Sequence, residues 1–425
     1  MRPNPNQVNR HFPSAQRELR PPTFFQTSTQ MTKIMRKKRN SLIWMLIVLA
    51  ALPCHAADKP VAAAAEAATA PVVVVPASDP RIQYIGRFDD SNPDAPRCAW
   101  SGSIIKARYK AERITLLLKD DPPANRTDDS GAPFRNWFDV LIDGQLAVTI
   151  VASPDRTRYE IPRQLGNGPH TISIFKRTEA VVGVSTFLGF ELSGGGRLLD
   201  PPVRPDRRIE FVGDSITAGL DVVKVGTGVF TLAAENNRLT YAAVAARRLG
   251  TESVCMAYSG NGVHCNGGDK KNAMAVLYER IIPQEPESRW DFTRWTPQVV
   301  VIHLGVNDVG AALSGLCKDD FQLVIDSYVK FVARVRKQYP QAHIFCMIGP
   351  VLWHVDLLTK LPLDTVETFR KKGDTKVHYL RCDDIGGDLH PDAANQRKMG
   401  DMLVKAIAAE TGWSFAEDGE TGDQQ

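Results

Sequence analysis

At 425 residues the chain has room for two or three domains and an ample core. Its 43% hydrophobic and 24% charged residues are those of a soluble globular protein and argue against a fibrous or wholly disordered one. The net charge of +4 gives no reason to expect a nucleic-acid partner, because Lys33, Arg36, Lys37, Lys38 and Arg39 crowd one short stretch.

Ahead of Met31 the sequence is rich in Pro, Asn and Gln and reads as unstructured, with Met31 and Met35 as alternative starts. The basic cluster leads into the apolar run 42–52 and then Cys54-His55-Ala56-Ala57, the order of a charged n-region, an h-region and a small-residue cleavage site. That run is well short of the ~20 apolar residues of a spanning helix. Residues 1–56 are therefore expected to be an N-terminal extension and signal peptide, cut after Ala56, that exports the protein to the periplasm or beyond and leaves no stable membrane span. Pro53 makes Cys54 a poor lipidation site. Residues 57–80, mostly Ala, Val and Pro, cannot build a core and are expected to be a tether.

Between 82 and 192 the chain offers short β-rich runs at 103–107, 114–118, 138–142, 146–151, 171–175 and 188–192, with no long helical pattern between them. Asp143-Gly144 is a two-residue hairpin signal, so residues 81–197 are expected to form an antiparallel β-sandwich of jelly-roll type. Gly194-Gly195-Gly196 and the proline-rich 200–205 mark a boundary. Beyond it, apolar strands at 209–212, 253–257, 299–304, 344–348 and 377–380 alternate with helical segments. This predicts an α/β domain over 198–415, a parallel sheet with helices on both faces. Its clearest helix is 319–339, closed by Pro340; Asp392 is placed to cap a last helix, and 416–425 is expected to be a disordered tail.

In such a sheet the active crevice lies beyond the carboxyl ends of the strands. The strand 209–212 runs directly into Gly213-Asp214-Ser215-Ile216-Thr217, a tight turn that presents the Ser215 hydroxyl as a candidate nucleophile. After the second strand comes Tyr258-Ser259-Gly260-Asn261-Gly262, after the third Gly305-Val306-Asn307-Asp308, and after the last Asp388-Leu389-His390-Pro391. Serine needs a base to take its proton, and His390 has the placement for it. Asp214 and Asp308 are expected to order their turns; His264, His303 and His354 read as rim or core. With Cys54 removed, Cys98, Cys255, Cys265, Cys317, Cys346 and Cys382 remain; Cys255 and Cys346 read as buried thiols, whereas Cys265 and Cys317, in loops after neighbouring strands, form a candidate disulfide. No Cys/His spacing resembles a zinc site, and no metal or cofactor is expected.

Four blocks carrying Ser, Gly, Asn and His in that order resemble the SGNH or GDSL hydrolases over residues 208–410. The sandwich ahead of them, with Lys176-Arg177-Thr178-Glu179 near its end and Ile209-Glu210-Phe211-Val212 before Gly-Asp-Ser, resembles carbohydrate esterase family 2 over roughly residues 81–412. The resemblance implies an SGNH, flavodoxin-like three-layer domain and removal of acetyl groups from polysaccharides or oligosaccharides of xylan or glucomannan type. It implies Ser215 as nucleophile and His390 as base. The implied oxyanion hole consists of the amides of Ser215 and Gly260 and the side chain of Asn307.

One position departs from the pattern. The acid of most SGNH triads stands three residues before the histidine, where this chain has Gly387. Asp388 could reach His390 through altered loop geometry, Asp384 could do so from upstream, or a backbone carbonyl could orient the imidazole in a Ser-His dyad, as the resemblance allows; the dyad is the preferred reading. Trp353 is the best-placed aromatic platform for a sugar ring, with Trp290 and Trp295 behind it. The loop 120–136 is a candidate cleft wall. The alternatives are a GDSL-type lipase or thioesterase and a carbohydrate-binding protein with weak catalysis. If the dyad holds, Asp388→Ala keeps most ester hydrolysis; a folded variant that loses as much as Ser215→Ala would sink it.

Overall fold

The computed structural model describes residues 71–162, 166, 168–224, 229–350, 355–382, 385 and 390–417. Two antiparallel sheets come first. One orders the strands Val73–Pro76, Val184–Leu192, Ile114–Asp121 and Arg158–Glu160; the other orders Arg197–Leu199, Ile104–Lys110, Pro169–Lys176, Trp137–Ile142 and Gln145–Val151. Every second residue of Ile104–Lys110 is buried, the period of a strand with one face in a core. Ile105, Ala107 and Tyr109 from that strand share a single apolar cluster with Leu116, Leu118 and Phe190 of the opposite sheet, which makes the pair a sandwich. The hairpin at Asp143-Gly144 forms as its dipeptide predicts, with φ of 52° and 80° at the two turn residues.

The sandwich extends past its expected edges. Val73–Pro76, inside the expected tether, pairs with Gly189–Leu192 because Val75 finds a buried place in the core. At the other end Arg197–Leu199 pairs with Arg108–Lys110, so the ladder continues beyond residue 197. In the expected tail, Ala416 accepts from and donates to Arg248.

The second half builds a parallel five-stranded sheet from Arg208–Gly213, Glu252–Ala257, Val299–His303, His343–Ile348 and Val377–Arg381, in the spatial order second, first, third, fourth, fifth. Strand residues Val254, Val300, Ile302 and Ile344 pack toward the helices Phe321–Gln338 and Val355–Lys371. Ile209, Phe211, Val301 and Phe345 face Tyr241–Arg248 and Ala393–Thr411 on the other side. Both faces are covered, which is why these strands read as continuous apolar runs. Asp320 caps the long helix by accepting from Gln322 N–H, and Asp392 caps the last from Asn395. No described helix is long and apolar enough to cross a membrane. The strand order reverses beside Arg208–Gly213, and Gly213 lies level with Ala257 and His303, so three carboxyl ends open on one crevice.

The sandwich docks on the α/β domain through buried charge. Arg87 is fully buried, 3.6 Å from Glu210 Oε2 in the middle of the first parallel strand, and stacks against Tyr278, Trp290 and Phe292. Its guanidinium also donates to the carbonyls of Tyr278 and Arg280, while Glu210 accepts from the hydroxyls of Tyr278 and Tyr339. Removing one member of such a pair strands the other in low dielectric. Arg87→Ala is expected to lower the unfolding free energy by about 3–5 kcal/mol, read from a denaturant midpoint; an unchanged midpoint would contradict the assignment.

Candidate active site

Ser215 opens a one-turn helix, Ser215–Ala218, at the carboxyl end of the first strand. Asp214 caps that turn, its Oδ1 accepting Ile216 N–H at 3.0 Å. Gly213 must be a glycine because a Cβ there would lie 2.0 Å from Thr217 Oγ1. Gln396 of the last helix accepts Tyr241 N–H at 2.8 Å and donates to Ile216 O at 2.9 Å. The helix that follows His390 is thereby tied to the turn that carries Ser215. The result is a 2.9 Å contact between His390 Nε2 and Ser215 Oγ across 175 residues of sequence.

His390 is half-buried, and loss of solvent around the ring lowers its pKa below the ordinary 6.5. Asp221 pulls it up and Lys224 pushes it down. Lys224 donates to the His390 carbonyl at 3.1 Å and pairs with Asp221 at 2.6 Å, an anchoring that nothing in the sequence motif announced.

Asn307 is the second residue of the helix Val306–Leu313 that follows the third strand, where its Nδ2 donates to Asn261 O at 3.0 Å and to Asp214 Oδ2 at 3.3 Å. Gly260 has φ +75°, a left-handed conformation that glycine takes freely. Neither the Gly260 N–H nor the Ser215 N–H has an acceptor among the described residues. Asp308 gathers three consecutive amides, those of Val263, His264 and Cys265, at 2.8, 2.8 and 3.3 Å. Burial pushes the Asp214 carboxyl up to about 7 and that of Asp308 up to about 6.

The structure thus brings Ser215 and His390 into contact and joins the Gly260 loop to the helix start that carries Asn307 through Asn261. Asp384, Asp388, Gly387, Trp353 and His354 lie outside the described residues. Trp290 and Trp295 do not flank the crevice. Trp295 Nε1 donates to Glu252, which opens the second strand at its amino end, and Trp290 packs against the Arg87 guanidinium; both rings are nearly buried. Cys265 and Cys317, the candidate pair, are neighbouring buried thiols packed with Ala311, and burial pushes the Cys265 thiol up to about 11. His303 is a core residue held by Gly349 O, its pKa lowered to about 4 by burial. The loop over 120–136 reaches the α/β domain, where Asp128 accepts Leu232 N–H at 3.1 Å and Phe134 packs on Leu232.

Two donor clusters among the described residues are tight enough to share an ion: His264 with Cys317 and Asp319, and His343 with His378 and Glu410. In the first, the Lys270 ammonium sits 2.5 Å from Asp319 and supplies the positive charge. The second lies at the amino ends of its strands, away from Ser215.

Residues 84–202 match the family described as carbohydrate esterase 2 N-terminal, and residues 211–415 match the GDSL-like lipase/acylhydrolase family. The cellulase/esterase CelE of Acetivibrio thermocellus is 34% identical over 347 residues, 79% of this chain. The chain spans only 40% of that relative's length. An acetylxylan esterase / glucomannan deacetylase of Cellvibrio japonicus is 24% identical, with 80% of this chain and 91% of that protein covered. Among solved structures, a family two carbohydrate esterase from Clostridium thermocellum in complex with cellohexaose superposes with a TM-score of 0.70 at 33% identity, covering 78% of this chain and 99% of that one.

For an imidazole that acts as a base only when neutral, a lowered pKa would keep His390 competent to lower pH. The rate at which an organophosphate modifies Ser215 should therefore rise with pH through a midpoint below 6.5; a midpoint at or above that value would refute the desolvated ring.

Proposed function

The chain belongs to carbohydrate esterase family 2, and from that premise we propose that it is an exported carbohydrate O-acetyl esterase. Its substrates are acetyl esters on xylan, glucomannan or their oligosaccharides. The 2.9 Å contact between Ser215 Oγ and His390 Nε2 carries the reading, since it is the arrangement a serine nucleophile requires. The acetylxylan esterase / glucomannan deacetylase named above supports this substrate class, and the related structure with cellohexaose supports a site that accepts a β-linked sugar chain. The basic and apolar run before Ala57 supports export.

Ser215 attacks the ester carbonyl as His390 Nε2 takes its proton; the same imidazolium then protonates the departing sugar oxygen. The negative charge on the tetrahedral carbonyl oxygen meets the N–H groups of Ser215 and Gly260, both without a protein acceptor among the described residues. Asn307 is the third donor. Both of its amide hydrogens are engaged in the resting site, so the oxyanion displaces the longer contact, that to Asp214. His390 works in a dyad whose imidazole is oriented without a carboxylate, a reading supported by Gly387 at the usual acid position.

Acetate release from acetylated glucomannan or xylan should far exceed hydrolysis of a long-chain ester such as p-nitrophenyl palmitate. Ser215→Ala and His390→Ala should each lose more than about 10³-fold in kcat. Cleavage of the long-chain ester with no acetate from either polysaccharide would overturn the substrate class in favour of a lipase; acetate release that survives Ser215→Ala would overturn the mechanism.

A further inference from the structure

Glu179 ends the sandwich's Lys176-Arg177-Thr178-Glu179 segment, yet its side chain serves the other domain. It is 1% exposed, and both carboxylate oxygens are used on one residue: Oε2 accepts Ser259 N–H at 2.6 Å and Oε1 accepts the Ser259 hydroxyl. Ser259 is the residue before Gly260. The peptide group that carries the Gly260 N–H is therefore held at its near end by two charge-assisted hydrogen bonds from another domain.

The carboxylate is itself held from behind. The backbone N–H of Glu179 donates to Glu235 Oε1 at 2.5 Å, and the Lys176 ammonium donates to the backbone carbonyls of Thr178 at 2.6 Å and Glu179 at 3.3 Å. Arg177 donates to the carbonyls of Ala233 and Glu235, in the segment that follows the nucleophile turn. Lys176, Glu179 and Glu235 are all at most 1% exposed, and burial pushes the two carboxyls up and the ammonium down. Three ionisable groups out of water are costly, and an apolar seam would join the domains at less expense. What they achieve that an apolar seam does not is a fixed direction for the Ser259 backbone.

We propose that Glu179 is a positioning residue for the oxyanion site, so that the sandwich completes the hydrolase centre through one carboxylate. This rests on the esterase reading above. With the anchor removed, the Gly260 N–H samples directions away from the developing oxyanion. The defect then falls on the transition state and not on ester binding.

The test is steady-state hydrolysis of p-nitrophenyl acetate by the whole chain. Glu179→Ala should lower kcat about 10²-fold while KM stays within about threefold. Glu179→Gln should recover kcat to within about tenfold of the wild type, because its carbonyl oxygen still accepts the Ser259 N–H and its amide donates to the Ser259 hydroxyl. Ser259→Ala, which keeps the N–H contact and loses the other, should cost about fivefold in kcat; it decides the matter if Glu179→Ala does not fold. A folded Glu179→Ala with unchanged kcat, a loss confined to KM, a Gln variant no better than Ala, or an unaffected Ser259→Ala each overturns the proposal. A wild-type protein that cleaves no ester overturns the esterase reading and this inference with it, whereas an active wild type beside an unaffected Glu179→Ala overturns this inference alone.

Discussion

Two carboxylates taken out of water hold the rim around Ser215 together. Asp214 caps the turn that carries Ser215 and accepts from Asn307; Asp308 collects three successive amides of the loop that follows Gly260. Tight loops at strand ends leave many N–H groups without a ladder partner, and a carboxylate can gather several of them at once. The cost is desolvation, visible in the raised pKa of both acids. The arrangement also explains Gly262, where a Cβ would come within 2.1 Å of Asp308 Oδ1: the loop crosses directly over the carboxylate that holds it.

The same logic operates at larger scale between the domains. Arg87 enters the α/β domain to meet Glu210, Asp139 of the sandwich takes Arg238 at 3.1 Å, and Glu179 reaches Ser259. Each group meets its partner only in this one docking, since a shifted seam would bury it without one. Glu210 and Ser259 stand on the elements that deliver Ser215 and Gly260. The geometry of the crevice is thus coupled to the way the sandwich sits.

Much of the layout was legible before any coordinates. Period-two burial along Ile104–Lys110, the Asp143-Gly144 hairpin and the unbroken apolar strands of the parallel sheet all follow from local pattern, because burial on one face or two leaves its mark on residue order. The misses have a common cause. Val73–Pro76 lies in a run that looks like a tether, and only the open edge beside Val184–Leu192 turns it into a strand. Trp290 and Trp295 suit a cleft or a core equally well by local pattern, and the fold makes both nearly buried, Trp295 at the amino end of the second strand. A pair of cysteines in neighbouring loops carries no signal of whether it is oxidised, and here they pack as thiols.

The sequence by itself determined the order of the chemistry: a serine after the first strand, a glycine and an asparagine after the second and third, and a histidine before the last helix. Those are local facts, set by turn residues and strand ends. Only the tertiary structure decided how these groups are oriented. The contact of Ser215 with His390, the anchoring of His390 by Lys224, the gathering of amides on Asp308 and the grip of Glu179 on Ser259 join residues dozens to more than a hundred positions apart. No local period or dipeptide records such distances, because the free energy that fixes them comes from burying partners together and appears only once the whole core has closed.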